Sequence, residues 1–136
     1  MKLGIEIGGT KLQVGVGDGR SSTLVNLVRA PINPAAGATG ILEQIERLSA
    51  PLISQYEIDR VGFGFGGPVD SRRGRAITSH QVDGCDDFPL GPWCQVKLGL
   101  PAIVGKDCDV AALAEAQLGA GVGKQSVFYV TVGTGV

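Results

Sequence analysis

Residues 2–19 read KLGIEIGGTKLQVGVGDG, and the fold class follows from how this stretch is parsed. Residues 2–7 read as extended chain, broken by Gly8, Gly9 and Thr10. Leu12, Val14 and Val16 then alternate with Gln13, Gly15 and Gly17, the period-two pattern of a strand with one buried face. Asp18-Gly19 is a strong two-residue hairpin signal. A third strand is predicted over about 22–29, ending before Pro31. The chain therefore opens as an antiparallel meander of three strands.

Working outward, residues 31–40 form a loop rich in Pro, Gly and Ala. Ile41, Ile45, Leu48 and Leu52 recur at helical spacing, and Pro51 is expected to kink or end that helix. Arg60 to Gly66 reads as a buried strand. Residues 67–100 read as a loop-rich excursion with a short strand at 75–79. Ala102 to Val104 is a short strand. Asp107 to Leu118 is a helix with Asp107 as N-cap and Gly119 just past its end. Val127 to Val132 is predicted as a further strand. Three strands followed by helix, strand, helix imply an α/β fold, a mixed sheet flanked by helices. The last strand leads into Gly133-Thr134-Gly135 as the first leads into Gly8-Gly9-Thr10. Either two short strings coincide, or a second domain begins near residue 123, dividing the chain into 1–122 and 123–136.

Composition narrows the function classes. The 136 residues carry 12 basic and 13 acidic side chains, a net charge of −1, which argues against a dedicated nucleic-acid partner. No apolar run is long enough to span a bilayer, so no membrane partner is expected. Glu6 interrupts the apolar stretch a signal peptide needs, and a cytoplasmic location is expected. Cys85, Cys94 and Cys108 are odd in number and widely spaced, which suits free thiols. With His80 the single histidine and no CxxC, no zinc site is expected within this chain. The 22 glycines have no collagen period and sit beside apolar runs, so neither a triple helix nor disorder is expected.

Three clusters could carry chemistry. Gly8-Gly9-Thr10-Lys11 is a turn whose backbone N–H groups could face an anion, with a hydroxyl and a cation alongside; an ordinary hairpin turn has the same composition. Gly62 to Gly67, GFGFGG, formally matches GxGxxG. The dinucleotide reading fails, because that motif must open a helix and Pro68-Val69-Asp70 follows. The stretch reads either as a strand delivering a Gly-Gly-Pro turn into a cleft or as a strand crowded against a helix. Asp107 and Asp109 suit a helix N-terminus. Asp107 also suits a carboxylate at the carboxyl end of a parallel strand, where open α/β sheets bind ligands. Arg72, Arg73 and Arg75 read as a solvated turn, and Trp93 as packing.

Taken together, these segments resemble the ROK family (repressor, open reading frame, kinase) of sugar kinases, in the hexokinase/actin-like ATPase superfamily. GIEIGGTK at 4–11 is similar to the first phosphate motif. GFGFGGPVD at 62–70 is similar to the sugar-side Gly-Pro segment. KDCDVAALAE at 106–115 is similar to the segment usually written NDANAAA, and VTVGTG at 130–135 to the opening of the second phosphate motif. Order and spacing match along the whole chain. The resemblance implies a ribonuclease H-like/actin-like fold and ATP-dependent phosphorylation of a hexose or N-acetylhexosamine. It implies that Asp107 accepts the proton of the attacking hydroxyl. Gly8, Gly9, Thr10 and Lys11, with Gly133, Thr134 and Gly135, hold ATP phosphates from two domains. Glu6 orients Mg²⁺ through water, and Gly67, Pro68, Gln81 and Lys106 line the sugar pocket with Asp107. A homodimer is implied for the full-length protein.

Four positions depart from the family pattern. Glu6 stands where aspartate is usual, and Lys106 where asparagine precedes the catalytic aspartate. An ammonium only donates, whereas an amide also accepts. Gln81 and Cys85 stand where asparagine and tryptophan are common. The family's Glu-x-Gly-His segment and cysteine-rich zinc motif have no counterpart up to Val136. An inactive fragment is therefore expected. Two other readings stay open: a non-catalytic sugar- or nucleotide-binding module, and a sugar-sensing ROK regulator.

Overall fold

The computed structural model describes residues 1–78, 84 and 86–132. Its centre is a five-stranded sheet in the order β3-β2-β1-β4-β7. The strands are β1 (Lys2–Ile7), β2 (Lys11–Gly17), β3 (Leu24–Pro31), β4 (Arg60–Phe65) and β7 (Ala102–Lys106). The first three form the antiparallel meander, with Ile7 opposite Leu12 and Gln13 opposite Arg29. β4 then pairs parallel to β1, and β7 parallel to β4. Antiparallel neighbours need only a turn, whereas each parallel neighbour needs a crossover, which the helices supply.

The period-two alternation sorts the sheet into two unlike faces. Leu3, Ile5, Ile7, Leu12, Val14, Val16, Val61, Phe63 and Phe65 point to one side and are almost wholly buried. Helix α1 (Gly37–Gln55) packs Ile41, Ile45 and Leu52 into the same cluster. At about 1.5–3 kcal/mol per buried large apolar side chain, this layer supplies most of the driving force for folding. The opposite face presents Gly4, Gly15, Gly62, Gly64 and Gly105, interrupted by Glu6, Gln13 and Arg29. Helix α3 (Asp107–Leu118) lies over part of this glycine floor and has no fully buried residue. A Cβ on Gly64 would lie 3.8 Å from the Asp107 Cα, and one on Gly105 would lie 2.6 Å from Val110. The missing side chains are what let α3 come this close.

Several expectations need correction. β3 runs through Pro31 because it is an edge strand, where a residue without an N–H costs no ladder bond. Helix α1 starts at Gly37 and continues through Pro51 to Gln55. Pro51 and Arg47, whose carbonyl would have received the missing N–H, are both exposed, so water can take the place of that bond. The described residues of the 67–100 excursion include two short strands and a helix. β5 (Val69–Asp70) pairs antiparallel with β6 (Arg75–Ala76), a two-residue strand in place of 75–79. Helix α2 (Leu90–Lys97) follows, with Leu90 and Cys94 buried. Gly91 and Pro92 disguised it, yet both lie in its first turn, where proline is tolerated. Lys106, in extended conformation, occupies the N-cap of α3, and Asp107 is the first helical residue. Residues 127–132 form no ladder; Phe128 is 92% exposed. A strand exists through its neighbour's hydrogen bonds, and no described strand pairs with this segment.

Candidate active site

The three parallel strands end side by side, and each delivers one predicted cluster to the same edge of the sheet. β1 ends at Ile7 and opens the turn through Gly8, Gly9 and Thr10, with Lys11 starting β2. This is the turn expected between two strands; the Gly8 N–H donates to the Lys11 carbonyl at 3.1 Å. β4 ends at Phe65, level with Ile7 on one side and Lys106 on the other. Its continuation, Gly66-Gly67-Pro68, is tied to the first turn by the Gly66 N–H donating to the Ile7 carbonyl at 3.0 Å. β7 ends at Lys106 and passes directly into α3 at Asp107. Carboxyl ends of parallel strands are where open α/β sheets take ligands.

Crowding explains the glycines here. A Cβ on Gly66 would meet the Ile7 carbonyl at 3.3 Å and the Asp107 Oδ2 at 3.6 Å. One on Gly67 would collide with the Thr78 carbonyl at 2.6 Å and the Phe65 ring at 2.9 Å. One on Gly8 would lie 3.3 Å from the Lys11 carbonyl. Gly66 leaves backbone bare beside the Asp107 carboxylate. Gly8, Gly9 and Gly67 are half-buried, while Thr10, Lys11, Pro68 and Lys106 are exposed.

Asp107 is half-buried and keeps its carboxylate in the groove. Its Oδ1 accepts the backbone N–H of Cys108 at 2.8 Å and the Cys108 thiol at 3.2 Å. The carboxylate favours the neutral thiol and so, with some burial, pushes the Cys108 pKa up. Cys94 is pushed up to about 11 by burial.

Glu6 projects from the same face two residues before Gly8, with Gly64 next to it on β4. It lines a groove of about 820 Å³ together with Asp107, Gly64 and Gln13. Gln13 and Arg29 were not singled out from the sequence. Both bear on Glu6: Gln13 Nε2 donates to Glu6 Oε2, and Arg29 Nε donates to Gln13 Oε1 at 2.6 Å. The signal was present, since a turn that pairs Ile7 with Leu12 necessarily pairs Glu6 with Gln13.

The donor set admits Mg²⁺. This ion is usually bound by one or two carboxylates plus substrate phosphates and retained waters, and Glu6 offers one carboxylate to the groove. Gly8 and Gly9, two and three residues further on, carry no side chain that would bar a phosphate from the turn. Among the described residues no three His, Cys, Asp or Glu side chains gather as an all-protein metal cage. Gln81, Gly133, Thr134 and Gly135 lie outside the described residues.

The chain is 31% identical over its whole length to a glucokinase of Streptomyces coelicolor, of which it covers 42%. It is 31% identical over 98% of its length to an N-acetylmannosamine kinase of Yersinia pestis, covering 44% of that protein. Among solved structures, a ROK family glucokinase from Streptomyces griseus in complex with glucose and AMPPNP superposes with a TM-score of 0.81. That likeness is at 30% identity over 90% of this chain and 38% of the other. The chain thus spans about two fifths of the length of the curated relatives it matches. The mixed sheet is that of the actin-like ATPase fold, and the ROK family model matches residues 2–136; the chain belongs to the ROK family.

Proposed function

We propose that this chain is the N-terminal part of an ATP-dependent kinase that phosphorylates a hydroxyl of a hexose or N-acetylhexosamine. In this reading residues 1–122 are the first domain and 123–136 begin the second. The observation that carries it is the convergence of the Gly8 turn, the Gly66-Gly67-Pro68 turn and Asp107 at adjacent strand ends, within a family whose relatives include glucose and N-acetylmannosamine kinases.

The chemistry assigned to the residues is simple. The sugar hydroxyl lies against Gly67 and Pro68, with Lys106 and Gln81 contacting other hydroxyls. Asp107 takes the hydroxyl proton as the oxygen attacks the γ-phosphorus of ATP, and the bond to ADP breaks. Phosphoryl transfer proceeds through a loose transition state, so positioning matters more than the strength of the base. Asp107 suits that demand: Oδ1 is held by Cys108, and Oδ2 is left toward Gly66. Gly8, Gly9, Thr10 and Lys11 hold phosphate oxygens through backbone N–H groups, a hydroxyl and an ammonium, with Gly133, Thr134 and Gly135 acting from the other side. Mg²⁺, when bound, neutralises charge on the phosphates, and Glu6 holds it through water.

The test is sugar-dependent ADP release by the product of the native reading frame, assayed with glucose, fructose and N-acetylmannosamine. Turnover with one of them is expected, and Asp107→Asn should lower it by roughly 10²–10⁴-fold while sugar binding persists. Binding without turnover in the parent would replace the kinase with a sugar-binding module. The 136-residue chain alone is expected to show no turnover, since a cleft between two domains cannot close with one of them absent.

A further inference from the structure

Glu6, Gln13 and Arg29 stand in one row across β1, β2 and β3, on the glycine face of the sheet. The row has a direction. A guanidinium has donors only, so Arg29 can bond Gln13 only through the amide oxygen, at 2.6 Å. That fixes the amide rotamer and turns the NH₂ group toward Glu6, whose Oε2 accepts it. An ionised carboxylate is an acceptor only, so the three groups fit in one sense and no other. The positive charge at the sheet edge thereby orders a carboxylate two strands away.

We infer that Gln13, clamped by Arg29, is a positioning residue that holds the Glu6 carboxylate in place beside the phosphate turn. Its use in phosphoryl transfer rests on the kinase reading; the ordering of Glu6 does not. Glutamate has one more rotatable bond than the aspartate usual at this position in the family, and each added rotamer loosens a ligand. The amide of Gln13 removes that freedom at the neighbouring strand. Glu6 and Gln13 are half-buried, and Arg29 lies at the exposed edge. Partners behind a metal-facing group typically change affinity or activity by about 10–100-fold when removed.

The first measurement reads the ordering without any activity. In the ¹⁵N-labelled chain, the two Gln13 side-chain amide protons should be well separated, one shifted downfield by the carboxylate. Arg29→Met and Glu6→Gln should each collapse that separation; three superimposable amide pairs would overturn the inference. The second measurement is a double-mutant cycle in the native-frame product. Gln13→Leu should raise the Mg²⁺ concentration for half-maximal rate about tenfold, with the sugar KM unchanged. In a Glu6→Asp background, whose carboxylate is drawn back from Gln13 by one methylene, the same replacement should have a much smaller effect. Equal losses in both backgrounds would overturn the positioning role. A parent without turnover would remove the kinase reading and leave the amide spectra to decide whether Gln13 orders Glu6.

Discussion

Cys108 gives Asp107 Oδ1 two hydrogen bonds, one from its backbone N–H at 2.8 Å and one from its thiol at 3.2 Å. Adjacent residues rarely share a side-chain bond, and here it follows from the helix start. Lys106 is extended and Asp107 is the first helical residue, so the carboxylate folds back over the orphan N–H of the first turn. One carboxylate oxygen is held and the other is left for the groove.

This pairing has a reactivity consequence. The hydrogen bond to the Asp107 carboxylate pushes the Cys108 pKa above the usual thiol value, and the thiolate is the nucleophile. Asp107→Asn should therefore let Cys108 ionise at lower pH and speed its alkylation by iodoacetamide near pH 8 by roughly two- to tenfold. Cys94, wholly buried and pushed up to about 11, should stay unlabelled until denaturant is added. Peptide mass mapping separates the two sites. An alkylation rate at Cys108 indifferent to Asp107→Asn would contradict the assigned bond.

The glycines of β4 and its turn should divide sharply under substitution. Gly67→Ala drives a methyl against the Thr78 carbonyl and the buried Phe65 ring, neither of which can move cheaply. A loss of about 1–3 kcal/mol is expected from urea unfolding. Gly62→Ala meets nothing within 4 Å. It should stay within about 1 kcal/mol of the parent, on the stabilising side, because alanine restricts the unfolded chain.

Ser49 is 0% exposed in the core-facing stripe of α1, and its Oγ has no hydrogen-bond partner among the described residues. A buried hydroxyl left unsatisfied costs about 1–3 kcal/mol. Ser49→Ala removes that cost and installs the strongest helix former. The thermal midpoint should rise; a fall would mean that the hydroxyl has a partner or that its volume is needed for packing.

Acid stability should depend on the Asp18 turn. The carboxylate accepts the backbone N–H groups of Arg20 at 2.8 Å and Ser21 at 2.9 Å, which lowers its pKa from the ordinary 3.8. A group whose pKa is depressed by folding contributes stability above its unfolded pKa and loses it as pH falls through the folded value. Stability from this turn is therefore present above about pH 3.8 and fades below it. Asp18→Asn should flatten the pH dependence in that acid window and leave the profile near neutrality almost unchanged.

Much of the architecture was legible in local pattern. The alternation over 12–17 located β2 and its buried face, and the helical spacing of Ile41, Ile45 and Leu52 identified α1; Asp18-Gly19 stands where β2 ends, but the connection to β3 runs over residues 18–23 in place of a two-residue hairpin. Helix α2 was hidden because Gly91-Pro92 reads as a breaker unless its place in the first turn is known. Residues 127–132 have the composition of a strand but no ladder, since pairing belongs to a neighbour and not to a segment. The separate clusters at Gly8, Gly66 and Asp107 were each readable and each had an ordinary alternative.

What the sequence determined by itself were periods, turns and residue types, because these depend on contacts a few residues apart. Only the tertiary structure decided that β1, β4 and β7 lie parallel and adjacent, so that positions 8, 66 and 107 meet at one edge. It also brought Arg29 on β3 to the far side of Gln13, completing a row drawn from three strands. The order of the parallel strands arises from packing across long crossovers, whereas hairpin register is fixed by the alternation and the turn.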